Sequence, residues 1–439
     1  MRRSEDPELL IMNQKQQRRS DWKPSFFSIW TSQAFSLIGS RVVQFALVWW
    51  LTQFTGSATV LATASMVALI PEILLSPIAG AYVDRWNRRI VMILADGMIA
   101  LASLWLAYLF WTDATQVWHV YVIMLVRAVG GAFHWPAMQA STSLMVPQEH
   151  LTRVAGLNQT MNGALNIIGP PLGALFLEVM ALYGVMLVDV GTAMLAILPL
   201  LFVYVPQPKR SDLGTEKPTI WADMREGLRY ILGWRGLMAL IGAAMIIKIA
   251  LTPAFALVPL LVKEHFHGGV AQFSLMEAVA GVGIVLGGLI LTAWGGFRRK
   301  IHTSMLGMTV LGLSFLVLSL TPGGFFQMAL ASVFVVGLMI PLIDGPIMAI
   351  LQGTVPPEMQ GRVFTMMGSL LWITSPFGLA VAGPVSDWLG LQVWYATAGV
   401  LCGVTGLALF FVPVVANIEE NIKVAGAEAE PIDPAEAGT

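Results

Sequence analysis

Eight ionisable residues sit inside long apolar runs, and they are the first candidates for chemistry. Three are cations, Arg41, Arg127 and Lys248, and five are carboxylates, Glu72, Asp96, Asp189, Glu277 and Asp344. A charge in hydrocarbon costs a few kcal/mol on insertion scales, so it must be paired, hydrated or neutralised. A nearby cation favours an ionised carboxylate, and desolvation opposes it. A carboxylate moved between those settings takes up and releases a proton. Glu72 fits this role, with Arg41 or Arg127 as the modulating cation. Arg41 lies roughly 22 Å into its run at 1.5 Å per residue, and Glu72 is at similar depth from the other side. The competing reading of the same residues is a permanent ion pair. Asp344 lies in Ile340-Pro-Leu-Ile-Asp-Gly-Pro346, which predicts a helix broken by Pro and Gly. Its carboxylate would hold a proton or a cationic ligand, or else cap or pair. Lys248 and Glu277 are expected to pair with each other. Asp96 and Asp189 lie close enough to the ends of their runs to read as solvated or capping.

Uncharged polar residues form stripes. Gln33, Ser36, Ser40 and Gln44 recur at spacings of three and four, as do Asn158, Asn162 and Asn166. Such spacing puts them on one helix face, where they line a watery path or glue helices together. Gly169 and Gly173 read as a close-packing pair, and any kink there would come from Pro170 and Pro171. His134 lies two turns from Arg127 and reads as a packed, hydrogen-bonded residue or as a proton relay. The 24 Met and 21 Phe face lipid, pack between helices or offer an apolar pocket that adapts to varied ligands.

Other chemistries find no residues. No G-x-x-x-x-G-K-[ST] phosphate loop occurs. No His/Cys cluster proposes a metal, and no cofactor is expected. The single cysteine, Cys402, has no partner for a disulfide. A net charge of −1 gives no global field toward nucleic acid.

The elements that must carry these residues follow from composition. Of the 439 residues, 56% are hydrophobic and 12% charged, and the mean hydropathy is +0.73. Soluble chains carry about 25% charged residues. A bilayer accommodates this surface, at roughly 20 apolar residues per spanning helix. Twelve spans are expected, near 26–53, 57–83, 90–111, 119–143, 154–177 and 185–205, then 237–262, 270–294, 301–320, 326–352, 363–385 and 392–415. The expected divisions are an N-terminal segment 1–25, a six-helix half 26–205, a linker 206–236, a second half 237–415 and a disordered tail 416–439. Segment 1–25 is polar and basic, without the apolar stretch and cleavage site of a signal peptide. Within the linker, Trp221, Met224, Leu228 and Leu232 keep helical spacing between charged residues, which predicts an interfacial amphipathic helix.

Basic residues orient this map. Of 25 Lys and Arg, all but four lie in segments on one side. Lys263 alone falls in the opposite loops; the others are the three cations within spans. The bias places both termini in the cytoplasm. An internal repeat is also visible. Val146-Pro-Gln-Glu-His-Leu-Thr-Arg153-Val154 matches Val355-Pro-Pro-Glu-Met-Gln-Gly-Arg362-Val363, and Arg88-Arg89-Ile90 matches Arg299-Lys300-Ile301. The matches precede the fifth and eleventh spans and the third and ninth. They map one half onto the other in parallel, an architecture with its ligand site near the midplane.

The stretch Gly80-Ala-Tyr-Val-Asp84-Arg85-Trp-Asn-Arg88-Arg89 resembles the signature loop of the major facilitator superfamily, with Asn87 in place of a second glycine. Arg127-Ala-Val-Gly130-Gly131 resembles that family's arginine motif, and Gly169-Pro170-Pro171-Leu-Gly173 its antiporter-associated Gly-Pro motif. Ile29-Trp30, Ser36-Leu-Ile, Thr55-Gly-Ser-Ala58, Arg127 through His134 and Gly361-Arg362-Val363-Phe364 are similar to the bacterial macrolide-efflux branch. The resemblance implies an all-α membrane fold of two pseudo-symmetric six-helix halves in the bacterial cytoplasmic (inner) membrane. It implies proton-driven export of bulky, hydrophobic, often cationic compounds by a monomeric antiporter. Alternatives are a siderophore, lipid or small-solute transporter of the same fold, or a non-transporting membrane sensor. No catalytic set marks an enzyme.

Overall fold

Backbone polar groups in lipid must bond within their own segment, which leaves helices as the natural spanning element for runs this apolar. The computed structural model describes residues 22–83, 86–207 and 220–419, and among them it contains helices and no strand. Six long helices come first: α1 Trp22–Thr55, α2 Ala58–Val83, α3 Arg88–Trp111, α4 Val117–Met145, α5 Gln148–Val179 and α6 Leu182–Phe202. A shorter α7, Ile220–Gly233, leads into α8 Arg235–Ala256, α9 Val270–Trp294, α10 Lys300–Leu320 and α11 Phe326–Thr354. Then come α12 Pro357–Ile373, α13 Ser375–Leu389 and α14 Leu391–Phe410. Eleven segments among the described residues are long and apolar enough to cross a membrane, with α12 and α13 counted as one. The remaining long helix, α5, carries Glu149, Arg153, Glu178 and the Asn stripe.

The repeat is written into the backbone. Val146 and Pro147, between α4 and α5, have φ/ψ of −95/131 and −58/145. Val355 and Pro356, between α11 and α12, have −75/125 and −52/140. The helices that end at these turns, α4 and α11, each have 29 residues.

Two breaks differ from expectation. Pro341 and Pro346 lie inside a continuous α11, so Asp344 does not mark a broken helix. Pro346 is buried and deprives the Leu342 carbonyl of its helical donor. Beside it, Ser304 donates to the Ile343 carbonyl at 2.8 Å. The interruption falls at Thr374 between α12 and α13, two residues before Pro376 in the first turn of α13. Pro376 has no N–H to give the Trp372 carbonyl and its ring crowds that turn, which weakens the helix there.

The contacts divide the chain into two units. The first holds α1, α2 from Thr63 onward, α3 to α6 and Gly268–Ala278. The second holds Ser57–Ala62 and the chain from α7 to His267 and from Val279 onward. In the first unit, Ile29, Met92, Ala137, Met138 and Leu200 form a core shared by α1, α3, α4 and α6. In the second, α7 packs by Ile231 against Leu237, Ile241, Leu351, Val355 and Val363. There Arg362 pairs with Glu226 of α7 at 2.6 Å. Also in this unit, Asp387 of α13 accepts bonds from Ser57 Oγ and from the Ala58 and Thr59 amides at 2.9, 2.6 and 3.0 Å. A carboxylate on the free amides of a helix start stabilises it.

Candidate functional site

The polar residues of the first unit lie in two layers, and helix periodicity sets their separation. Seven residues are nearly two turns, so residues that far apart share a face about 10.5 Å apart along the axis. Gln33 and Ser40 of α1, Asp96 and Ser103 of α3, and Arg127 and His134 of α4 all keep that spacing. One layer joins Ser40, Ser103 and Arg127 to Asp189 of α6. Arg127 Nη1 lies 2.5 Å from Asp189 Oδ2. Ser103 Oγ donates to the same oxygen at 2.7 Å, and Ser40 Oγ donates to Oδ1 at 3.3 Å. Arg127 Nη2 donates to the Ser40 carbonyl at 3.1 Å. The carboxylate is 1% exposed and the guanidinium side chain 10%. Such a buried pair needs further hydrogen bonds to repay its desolvation, and both of its ends have them. It ties four helices of one unit together.

The other layer joins Gln33, Asp96 and His134. Gln33 Nε2 donates to Asp96 Oδ2 at 3.1 Å. His134 Nε2 lies 3.4 Å from Asp96 Oδ1, within reach of a charge pair, but off the line of a hydrogen bond, so that buried nitrogen has no hydrogen-bond partner. Asp96 and Asp189 are therefore interior residues, 5% and 1% exposed, rather than solvated caps. Depth along a run does not report which face of the helix a carboxylate occupies. The matched seven-residue spacings on α3 and α4 were the signal that could have set Asp96 beside His134 and Ser103 beside Arg127; nothing in the sequence pointed to Asp189 as their partner.

The remaining candidates divide. Arg127, read as a modulator of Glu72, is committed to Asp189; Glu72 is exposed on α2, and Arg41 is exposed on α1. Gln33 and Ser40 of the α1 stripe bond to other helices of their own unit, so that end of the stripe works as glue; Gln44 is half-buried. Asn158 accepts from Trp30 Nε1 at 2.8 Å, Asn162 is half-buried and Asn166 exposed. The Gly-Pro motif of α5 lies on α1. A Cβ at Gly169 would stand 3.1 Å from Arg41 Cβ, and one at Gly173 would stand 2.6 Å from the Phe45 ring. Pro170 and Pro171 are accommodated inside the helix.

In the second unit, Lys248 Nζ sits 4.8 Å above the Trp372 ring centre, a cation–π contact. It also acts electrostatically on Asp344, which is exposed on α11. Those are its partners where pairing with Glu277 was expected; Glu277 is half-buried on α9. In the signature loop, Gly80 lies in α2 and Asn87 caps α3, its side chain accepting from the Arg89 and Ile90 amides. Arg88 is buried and donates to the Ala140 carbonyl at 2.7 Å, and Arg89 donates to that of Leu201. Asp84 and Arg85 lie outside the described residues, as do Met1–Asp21 and the tail beyond Glu419.

Interior charges in a bundle of apolar helices, joined to an internal repeat, are features of membrane transporters. A family model described as the Major Facilitator Superfamily matches residues 29–257 and 241–435. The chain belongs to that superfamily. It is 32% identical over 386 residues to macrolide efflux protein A of Streptococcus pyogenes, covering 88% of this chain and 95% of that one. It is 25% identical over 390 residues to the multidrug efflux pump Tap of Mycolicibacterium fortuitum, covering 85% and 92%. Its fold is similar to a crystal structure of a mutant of the nucleoside transporter NupG, with a TM-score of 0.66, 12% identity and coverage of 86% and 98%. This superfamily member is a multi-pass membrane transporter and not an enzyme.

Proposed function

We propose that this transporter exports hydrophobic, drug-like compounds, macrolides among them, in exchange for protons, by alternating access. The similarity to macrolide efflux protein A along 88% of the chain carries the substrate class. Ionisable residues inside the spans support the coupling, since such residues mark ion and proton pathways in membranes. Glu72 and Asp344 are the proton-exchanging carboxylates of this reading, with Arg41 and Lys248 the cations that set their charge. It works as a monomer in the bacterial inner membrane, its termini on the cytoplasmic side where Lys and Arg gather.

Cells lacking their own efflux pumps provide the test. With this protein, they accumulate several-fold less of a macrolide than without it, and collapse of the proton gradient removes the difference. Glu72→Gln and Asp344→Asn are then expected to abolish proton-driven export while leaving membrane levels unchanged. Unaltered accumulation across a broad drug panel, with folded protein in the membrane, would overturn the reading.

A further inference from the structure

We propose that the layer formed by Gln33, Asp96 and His134 is a proton-binding site inside the first unit, with the proton held on His134 Nε2 against Asp96. The inference rests on the proton-coupled reading above but moves a protonation site to residues that reading leaves out.

The two layers of the first unit contrast. In the Asp189 layer every strong group is engaged: the carboxylate accepts from Arg127, Ser103 and Ser40. An arginine does not release its proton in a protein, so that layer keeps one charge state. In the Asp96 layer the cation is replaced by an imidazole, the side chain whose ordinary titration falls near neutral pH. Among the described residues, Asp96 receives its hydrogen bond from neutral Gln33. His134 Nε2 faces its other oxygen at 3.4 Å without closing a hydrogen bond, although the residue is only 8% exposed. A buried polar atom without a partner calls for an explanation, and beside a carboxylate at 3.4 Å a bound proton supplies one.

The step balances simply. A proton from water binds the Nε2 lone pair, the imidazole becomes imidazolium, and Asp96 supplies the counter-charge. Release returns the proton to water and restores the neutral ring. The elements around His134 bring few other charges. On its own helix the neighbour is Arg127, two turns away and held by Asp189. On α3 they are Asp96, Arg88, whose guanidinium donates to Ala140 of α4, and Arg89, which donates to the Leu201 carbonyl of α6. The charged residues of α1 are Lys23 and Arg41, both exposed, and that of α6 is Asp189. Among the described residues, Asp96 is the one carboxylate paired with the ring.

The experiment is a nitrogen-15 titration of histidine-labelled protein in lipid nanodiscs. His134 is assigned among the six histidines by the signal lost in His134→Gln. The His134 ring is expected to change protonation reversibly between about pH 5 and 8. Asp96→Asn retains an acceptor for Gln33 and removes the negative charge. It is expected to move the midpoint by about one pH unit, a tenfold change in proton affinity. A ring that keeps one state across that range, or an identical midpoint in Asp96→Asn, overturns the site. Efflux is then measured with an imposed proton gradient. If wild-type efflux ignores the gradient while the linked titration is present, the coupled-export reading falls and the proton site stands. If efflux follows the gradient and His134→Gln follows it equally, the site is overturned as a coupling site.

Discussion

The Arg127–Asp189 pair is the most constrained charge in the described chain, and its replacement separates two costs. Asp189→Asn leaves the guanidinium buried without a counter-charge, which costs about 3–5 kcal/mol in the broken pairs that have been measured. Thermal unfolding in detergent is expected to show a large loss of stability. The double variant Arg127→Gln with Asp189→Asn removes both charges and leaves two amides able to bond with Ser40 and Ser103. It is expected to be more stable than Asp189→Asn alone. A double variant that unfolds earlier than the single one would show that a buried Arg127 without its counter-charge is not the source of the loss in Asp189→Asn. The sequence displayed Arg127 and Asp189 as charges in apolar runs, but 62 positions apart, with no local clue to their pairing. Only the fold of α4 against α3 and α6 supplies it.

At the scale of the element, the contact of α5 with α1 is legible because backbone approach needs small residues. Gly169 and Gly173 on α5 meet Arg41 and Phe45 on α1, both pairs four residues apart, so the glycines form a strip that α1 lies against. Phe45 is 7% exposed and also stacks on Phe273 at 4.6 Å, both in the first unit. It has little room to retreat from a new side chain. Gly173→Val is expected to cost about 1–3 kcal/mol through overpacking, read as reduced folded yield and an earlier unfolding transition. Gly169→Ala, whose Cβ would meet a side-chain carbon at 3.1 Å, is expected to be milder. Equal losses at both sites would mean that α1 does not sit rigidly on this strip. The α1 stripe was legible in its spacing but not in its use: period alone cannot say whether a polar face meets water or a neighbouring helix, and Gln33 and Ser40 meet helices. The break near Pro341 and Pro346 was misplaced for a related reason. Proline's cost in a helix depends on whether neighbours satisfy the freed carbonyls, and the sequence does not show neighbours.

At the scale of the whole molecule, the orientation of the spans is the property that composition argues most directly and that chemistry can check. Lys and Arg gather in alternate loops, and the orientation proposed from that bias has the α4–α5 turn in the cytoplasm and the α3–α4 turn outside. The chain lends itself to the measurement, because its single cysteine, Cys402, is fully buried and gives little background to a thiol reagent. Ala114 in the α3–α4 turn and Gln148 at the start of α5 are both exposed. In intact cells, Ala114→Cys is expected to react with a membrane-impermeant maleimide within minutes, and Gln148→Cys only after the membrane is permeabilised. The repeat extends the reasoning to the second unit. The turn at Val355 and Pro356 repeats the backbone of that at Val146 and Pro147, so a cysteine at exposed Gln352 is expected to behave as Gln148→Cys does. Opposite labelling of those two positions would require an odd number of crossings between them. That would break the parallel relation of the two halves, and with it the inference that twelve spans carry both termini to one side.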